Sequence, residues 1–214
     1  NLAQIKLTDT DKKRVTVRSS LSYYNYSKPD RYYEGELAEE PLPWSHLPGF
    51  QFTQHPPRDV LNAIVSVGFL PFGLPDLIKN DYSDAKVTLL FPFPPGPPNY
   101  QRTWEFIRDI EKSSPLRDPS DIKRIDALDV PGCFKRILEL TRSNPENTVL
   151  APYGPKPHSL AMCLFACSYN CEVYYTQPEV YHPSYSTGIA TKNNQPVTSG
   201  YLVKLNHKNL YECT

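Results

Sequence analysis

The chain has 214 residues and carries 23 basic and 23 acidic side chains, so its formal net charge is zero. This balance argues against a protein that coats nucleic acid through bulk electrostatics, and a hydrophobic content of 39 % argues against disorder throughout. Proline is in excess, with 23 residues or roughly 11 % of the chain against a usual ~5 %.

The cysteines and the absence of long apolar runs bear on the compartment. No run reaches the ~18 apolar residues that a membrane-spanning helix needs, and no signal-peptide pattern is visible. Five cysteines, an odd number, favour reduced thiols, so we expect a cytoplasmic protein without membrane contact. Cys163, Cys167 and Cys171 recur at every fourth position, which is no familiar metal spacing. We therefore expect these thiols to pack in the core, and we expect no metal and no cofactor.

The first 48 residues are polar and rich in tyrosine. Residues 14–18 alternate as a short strand does, whereas Ser22 to Glu40 shows little aliphatic periodicity. We predict that residues 1–48 form an extended Tyr-rich arm or small lobe.

Hydrophobic patterning becomes regular from about Gly49. Strands are predicted at 50–53, 86–91, 122–127, 147–151, 172–176 and 200–205. Helices are predicted from Pro57 to Gly68, over 100–110, from an N-cap at Asp129 through Thr141, and over 160–167. This alternation indicates a Rossmann-like α/β domain over residues 49–214, with a mostly parallel sheet and helices on both faces. Such folds bind ligands at the carboxyl ends of their strands, so the loops at that edge are the candidate sites.

The loop after the predicted strand at 147–151 is the strongest candidate. Gly154 permits close approach of the backbone to a ligand, and the N-terminus of the following helix favours an anion. Lys156 adds a full charge and Ser159 adds a hydroxyl. The alternative is a proline-stiffened turn in which Lys156 is solvated and Ser159 caps the helix. The candidate ligand-binding residues of this loop are Tyr153, Gly154, Lys156, His158 and Ser159.

A strand followed by Gly-Pro-Lys-Pro-His-Ser-Leu-Ala, residues 154–161, resembles the strand–loop–helix signature of CARF-type Rossmann-like sensor domains. Those domains bind cyclic oligonucleotides or other nucleotides as dimers and switch fused or partner effectors. The resemblance implies that Gly154, Lys156 and Ser159 face the phosphate or ribose of such a ligand. It also implies a homodimer and a place in antiviral defence. The sequence departs from the pattern at Tyr153, where a small residue is common, and at His158, where an apolar residue is common.

Two further loops leave predicted strands. The proline-rich segment from Pro92 to Asn99 predicts a rigid wall beside the site, and Arg102 behind it is placed either to reach an anion or to be solvated. The segment beginning at Gln177 offers that residue and Tyr181 for contacts to a base or a ribose. Its alternatives are a polar cover or a dimer contact.

The loop after the predicted strand at 122–127 carries two carboxylates. Asp126 is placed to take a ribose hydroxyl, while Asp129 is better interpreted as the cap of the next helix.

Three classes of function fit these features. The first is a ligand-sensing domain that binds an anionic nucleotide, such as a cyclic oligonucleotide, and regulates an attached or partner effector. The second is an α/β hydrolase or transferase acting on a nucleoside or nucleotide, with Asp126, His158 or Glu179 as candidate bases, although we assign no catalytic residue. The third is a non-catalytic protein-interaction module built on the Tyr-rich arm and the prolines.

The position of the prolines gives their excess a meaning. Ten of the 23 fall in three loops at the predicted carboxyl edge of the sheet. Because proline restricts the backbone, we expect these loops to be preformed rather than flexible.

Overall fold

The computed structural model describes residues 16–20, 38–41, 45–50, 59–67, 82, 84–93, 121–176, 178–181, 191–196 and 198–211. The predicted helix over 100–110 and the proline-rich segment from Pro94 to Asn99 lie outside these residues, as does the predicted strand at 50–53 beyond Phe50.

The first nine strands that the structure describes lie between residues 16 and 181. They are β1 (Thr16–Ser20), β2 (Ala38–Pro41), β3 (Ser45–His46), β4 (Asn62–Ser66), β5 (Lys86–Phe93), β6 (Asp121–Asp126), β7 (Thr148–Pro152), β8 (Glu172–Tyr175) and β9 (Pro178–Tyr181). Five short strands follow: β10 (Thr191–Lys192), β11 (Gln195–Pro196), β12 (Thr198–Leu202), β13 (Lys204–Leu205) and β14 (Lys208–Asn209).

A six-stranded mixed sheet organises the fold, with the order β3-β8-β7-β4-β5-β6. The strands from β4 to β8 run parallel, and β3 pairs antiparallel with β8 at one edge. Numbered by their place in the chain, the parallel strands lie in the order 3-2-1-4-5, which is that of a doubly wound, Rossmann-like sheet. The predicted α/β fold with a mostly parallel sheet is confirmed.

The predicted helix from Pro57 to Gly68 is wrong, because residues 62–66 form β4, the central strand of the parallel sheet. Ala63, Ile64 and Val65 are all buried, while Leu61 is 44 % exposed. A strand covered on both faces has apolar residues at consecutive positions, so it lacks the alternation that identifies a half-buried strand. Its spacing therefore imitates a helical stripe.

Two helices pack together on one face of the sheet. They are α1 (Val130–Leu140) and α2 (Lys156–Tyr169). The aromatic rings of Phe134 and Phe165 contact each other edge to face between the two helices, with ring centroids 5.6 Å apart. α2 begins four residues before the predicted start, so part of the candidate loop belongs to its first turn. The connections from β4 to β5 and from β5 to β6 fall largely outside the described residues.

The Tyr-rich region contributes strands that pair with the last third of the chain. β1 pairs with β12, β2 with β9 and β3 with β8, all antiparallel. β3, which lies within the predicted arm, therefore belongs to the main sheet. The short strands β10 and β11 form one hairpin, and β13 and β14 form another.

Asp129 caps α1, as the sequence predicts, because its Oδ1 accepts a hydrogen bond of 2.9 Å from the Gly132 N–H. We expect Asp129→Ala to lower the free energy of unfolding by about 1 kcal/mol, since an N–H of the first turn loses its acceptor. Asp129→Asn is the matched control, because its amide oxygen can accept the same bond. Urea denaturation of the three proteins measures the difference, and equal losses in both variants would show that charge rather than capping matters.

Candidate functional site

The candidate site lies where the order of the parallel strands reverses, between β4 and β7. Connections from β4 lead outward to β5 and β6, while connections from β7 lead outward to β8 on the other side. The carboxyl ends of β4 and β7 therefore flank the reversal point, which is where open α/β sheets bind ligands. The last residues of the two strands, Ser66 and Pro152, are register partners there.

Gly154 brings the loop after β7 into direct contact with the end of β4. A Cβ atom at this position would stand 1.9 Å from Ser66 Oγ, 3.0 Å from Ser66 Cβ and 3.2 Å from the Val67 carbonyl oxygen. Only glycine leaves room for this approach. The loop is therefore seated directly on β4, and the stiffening expected from its prolines is accompanied by close packing.

His158 lies in the first turn of α2 and forms hydrogen bonds to the ends of two strands. Its Nδ1 lies 3.1 Å from Ser66 Oγ at the end of β4, and its Nε2 lies 3.0 Å from the Asp126 carbonyl oxygen at the end of β6. Both His158 and Ser66 have no exposed surface. A buried hydrogen-bonded chain therefore runs beneath the candidate ligand loop.

The partners of His158 fix the positions of its proton. A backbone carbonyl can only accept, so Nε2 carries the hydrogen and donates it to Asp126. Burial lowers the pKa of His158, and although the bond to Asp126 and the charges of Asp126 and Asp129 oppose this effect, the net direction is downward. The ring is thus neutral, its Nδ1 accepts, and the Ser66 hydroxyl donates to it.

The chain of hydrogen bonds continues beyond Asp126. The carbonyl of Asp126 and the N–H of Ala127 belong to one peptide group, and that N–H donates to the carbonyl of Phe93 at 2.9 Å. Phe93 is the last residue of β5. His158 therefore connects the carboxyl ends of β4, β5 and β6, the three adjacent strands on one side of the reversal point.

The first turn of α2 offers fewer donors than a standard helix N-terminus. Pro155 occupies the N-cap position and Pro157 the second helical position, and neither has an N–H. The Ser159 N–H bonds to the Pro155 carbonyl at 3.1 Å, and its hydroxyl lies 3.4 Å from the Pro152 carbonyl oxygen. Lys156 is exposed at the first helical position. An anion at this helix end would depend mainly on the Lys156 side chain.

The structure places the other predicted ligand-binding residues as follows. Tyr153 is half-buried, and its N–H bonds to the Ala151 carbonyl at 2.9 Å. Arg102 and Gln177 lie outside the described residues, and Tyr181 lies in β9, where only the backbone is described. The site assembled on the described residues is therefore the loop after β7, the start of α2 and the end of β4.

Ser66 is the residue of this site that the sequence analysis missed. With His158 and the Asp126 carbonyl, it reproduces the hydrogen-bond pattern of a nucleophile, a base and an orienting group. Ser66 is completely buried, however, and Gly154 packs against its hydroxyl, which leaves no space for a substrate atom in this arrangement. The available signal was a serine closing the apolar run from Ala63, which the helix prediction concealed.

A second polar cluster lies at the amino end of β8, away from the carboxyl edge of the sheet, around the buried carboxylate of Glu172. Its Oε2 is 3.1 Å from the Tyr174 hydroxyl, 3.4 Å from the Tyr82 hydroxyl and 3.5 Å from His46 Nε2. The Tyr174 hydroxyl also contacts His46 Nε2. Burial, and then the charge of Glu172, raise the pKa of Tyr174, so its phenol stays a neutral donor. The cluster holds the edge strand β3 on the sheet.

The cysteines divide between core and surface. Cys133 and Cys171 are buried, Cys163 is half-buried and Cys167 is exposed. Burial raises the pKa of Cys133 to about 12, which keeps it a protonated, unreactive thiol. Within the described ranges, no three His, Cys, Asp or Glu side chains converge as a metal site would require.

Comparisons with models of protein families, with curated proteins and with solved structures gave no significant match in any of the three. In the part of the chain that the structure describes, neither α1 nor α2 nor any other helix has the length and hydrophobicity to cross a membrane.

Proposed function

We propose that this chain is a ligand-sensing α/β domain that binds an anionic nucleotide at the carboxyl edge of its parallel sheet. The observation that carries this proposal is the reversal of strand order between β4 and β7, with Lys156 exposed at the start of the helix that follows β7. Open α/β sheets place their ligands at this point, and an exposed lysine beside a helix N-terminus suits a phosphate.

The burial of Ser66 and His158 favours binding without chemistry. A hydrolase or transferase needs a base or nucleophile that a substrate can reach. Both ring nitrogens of His158 are engaged within the protein, and the Asp126 Oδ1 accepts the Leu128 N–H at 2.8 Å. Glu179 lies in β9, where only the backbone is described. The proposed sensor acts in the cytoplasm as a homodimer and transmits ligand binding to an attached or partner effector.

A panel of nucleotides tests the proposal. The 214-residue chain is mixed separately with ATP, NAD⁺, cyclic triadenylate and cyclic tetraadenylate, and both the Tm of the protein and the integrity of the ligand are followed. A raised Tm with intact ligand supports the sensor. Consumption of a ligand would establish the enzyme instead, and a flat response across the panel would favour the protein-interaction module.

Lys156→Ala tests the position of the site. The variant loses a charge-assisted contact to phosphate, so we expect the Kd of the bound panel member to rise about tenfold to a hundredfold. Lys135→Ala is the matched control, since Lys135 is an exposed lysine on α1 rather than on α2. Isothermal titration at fixed ionic strength compares the three proteins. Equal affinities in all of them would move the site away from α2.

A further inference from the structure

We infer that His158 is a positioning residue that couples the first turn of α2, part of the proposed ligand site, to the carboxyl ends of β5 and β6. The coupling runs from the Ser66 hydroxyl through the neutral imidazole to the peptide group between Asp126 and Ala127, and from there to Phe93. This inference deepens the proposed function, on which it rests, by naming how the site would be linked to its surroundings.

The hydrogen bonds of this chain run in one direction without a gap, which distinguishes them from ordinary buried hydrogen bonds. Ser66 donates to Nδ1, Nε2 donates to the Asp126 carbonyl, and the N–H of the same peptide donates to the Phe93 carbonyl. All the dipoles therefore point the same way, and each bond polarises the next. Ser66 and His158 have no exposed surface, so water does not compete with the hydrogen bond between them.

The chain of hydrogen bonds joins elements through which a displacement caused by a ligand can be transmitted. His158 follows Lys156 by two positions in α2, so a phosphate that displaces the helix end would displace the imidazole as well. Asp126, which accepts the bond from His158 Nε2, lies three residues before the Asp129 cap, where α1 begins. A shift of the first turn of α2 is thereby coupled to the start of the neighbouring helix.

The coupling is measurable without any ligand, through the Ala127 amide proton. Ser66→Ala removes the donor to Nδ1, which frees the imidazole to change tautomer and weakens the bond to Asp126. We expect hydrogen exchange of the Ala127 amide to accelerate about 1.5-fold, because its bond to Phe93 remains and loses only the roughly 10–30 % that a neighbouring hydrogen bond adds. Its chemical shift should change as well. We also expect His158 to lose a pure Nε2–H signature in ¹⁵N spectra.

Thr148→Val is the control for this measurement. Thr148 is completely buried at the other end of β7, and its hydroxyl has no hydrogen-bond partner within the described part of the chain. Its replacement removes a buried hydroxyl of the same sheet without touching the chain through His158, so Ala127 exchange should match that of the unmodified protein. A merely structural role for Ser66 would alter Tm in its variant and leave the Ala127 signal in place, which would overturn the inference.

The unmodified protein supplies a second test that does not depend on a variant folding. Its His158 ring should show a protonated Nε2 and a bare Nδ1 in ¹⁵N spectra at neutral pH. The opposite tautomer would overturn the inference, and so would covalent labelling of Ser66 by a fluorophosphonate, which would show an accessible nucleophile instead. If the nucleotide panel fails while Ala127 responds, the proposed function falls and the coupling stands. If a nucleotide binds while the Ala127 amide does not respond, the proposed function stands and the coupling falls.

Discussion

Replacement of His158 by alanine is expected to lower the free energy of unfolding by about 3–5 kcal/mol. The variant empties a fully buried imidazole site and leaves the buried Ser66 hydroxyl without its acceptor. The Asp126 carbonyl loses the bond from His158 but keeps the Asp129 N–H at 3.2 Å. His158→Asn and His158→Gln are the matched variants, because Asn can still accept from Ser66 and Gln can still donate to Asp126. We expect each of these two variants to lose less free energy of unfolding than His158→Ala does. Chemical denaturation at neutral pH measures the series.

The same residue predicts a pH dependence of stability. Burial lowers the pKa of His158 in the folded protein below its ordinary value of 6.5, so the unfolded chain binds a proton more readily. The contribution of the neutral ring to stability is therefore complete above about pH 6.5 and is lost as the pH falls from there towards the lowered pKa. Asn and Gln do not titrate, so their variants should lack this component of the acid loss. An identical slope in all three proteins between pH 7 and 5 would assign the loss to other groups.

Gly154→Ala is expected to lower the free energy of unfolding by about 2 kcal/mol. The added methyl would meet Ser66 Oγ at 1.9 Å and the Val67 carbonyl oxygen at 3.2 Å. Rotation of the serine side chain would relieve the first clash only by breaking its bond to His158. The loop after β7 would therefore have to lift from β4.

A double-mutant cycle with Ser66→Ala identifies the source of this loss. Removal of Oγ eliminates the shortest contact and leaves Ser66 Cβ at 3.0 Å. Gly154→Ala should therefore cost less in the Ser66→Ala background than in the unmodified protein, with a coupling energy of about 1 kcal/mol. Strict additivity of the two changes would show that the loss does not come from the Ser66 Oγ contact, and would assign it to the contacts with Ser66 Cβ and the Val67 carbonyl oxygen.

Elements with a clear hydrophobic period could be predicted from the sequence. The strands β5, β7 and β8 and the helix α1 follow local patterns, and the Asp129 cap is read from one residue beside one helix. β4 could not be distinguished from a helix, because a strand covered on both faces loses its alternation. That error concealed the strand whose end forms half of the candidate site.

The candidate site shows the same division. Gly154 and Lys156 could be selected from the sequence because a loop between a strand and a helix marks the ligand edge of an α/β sheet. The partnership of Ser66 with His158 could not, since 92 positions separate them and no local period reports such a contact. The sequence analysis also predicted that this helix begins at residue 160, whereas α2 begins at Lys156, so that Pro155 and Pro157 remove two N–H groups from its first turn.

The α/β class with a mostly parallel sheet could be derived from local periodicity, and ligand binding at the carboxyl edge and stiff loops there are predictions that rest on loop position and proline geometry. Tertiary structure alone decided the strand order, the burial of His158, and the tautomer that its two partners impose. The physical reason is that hydrogen-bond partners and burial depend on which distant segments the sheet brings together, and the pairing of β4 with β7 places Ser66 beneath Gly154.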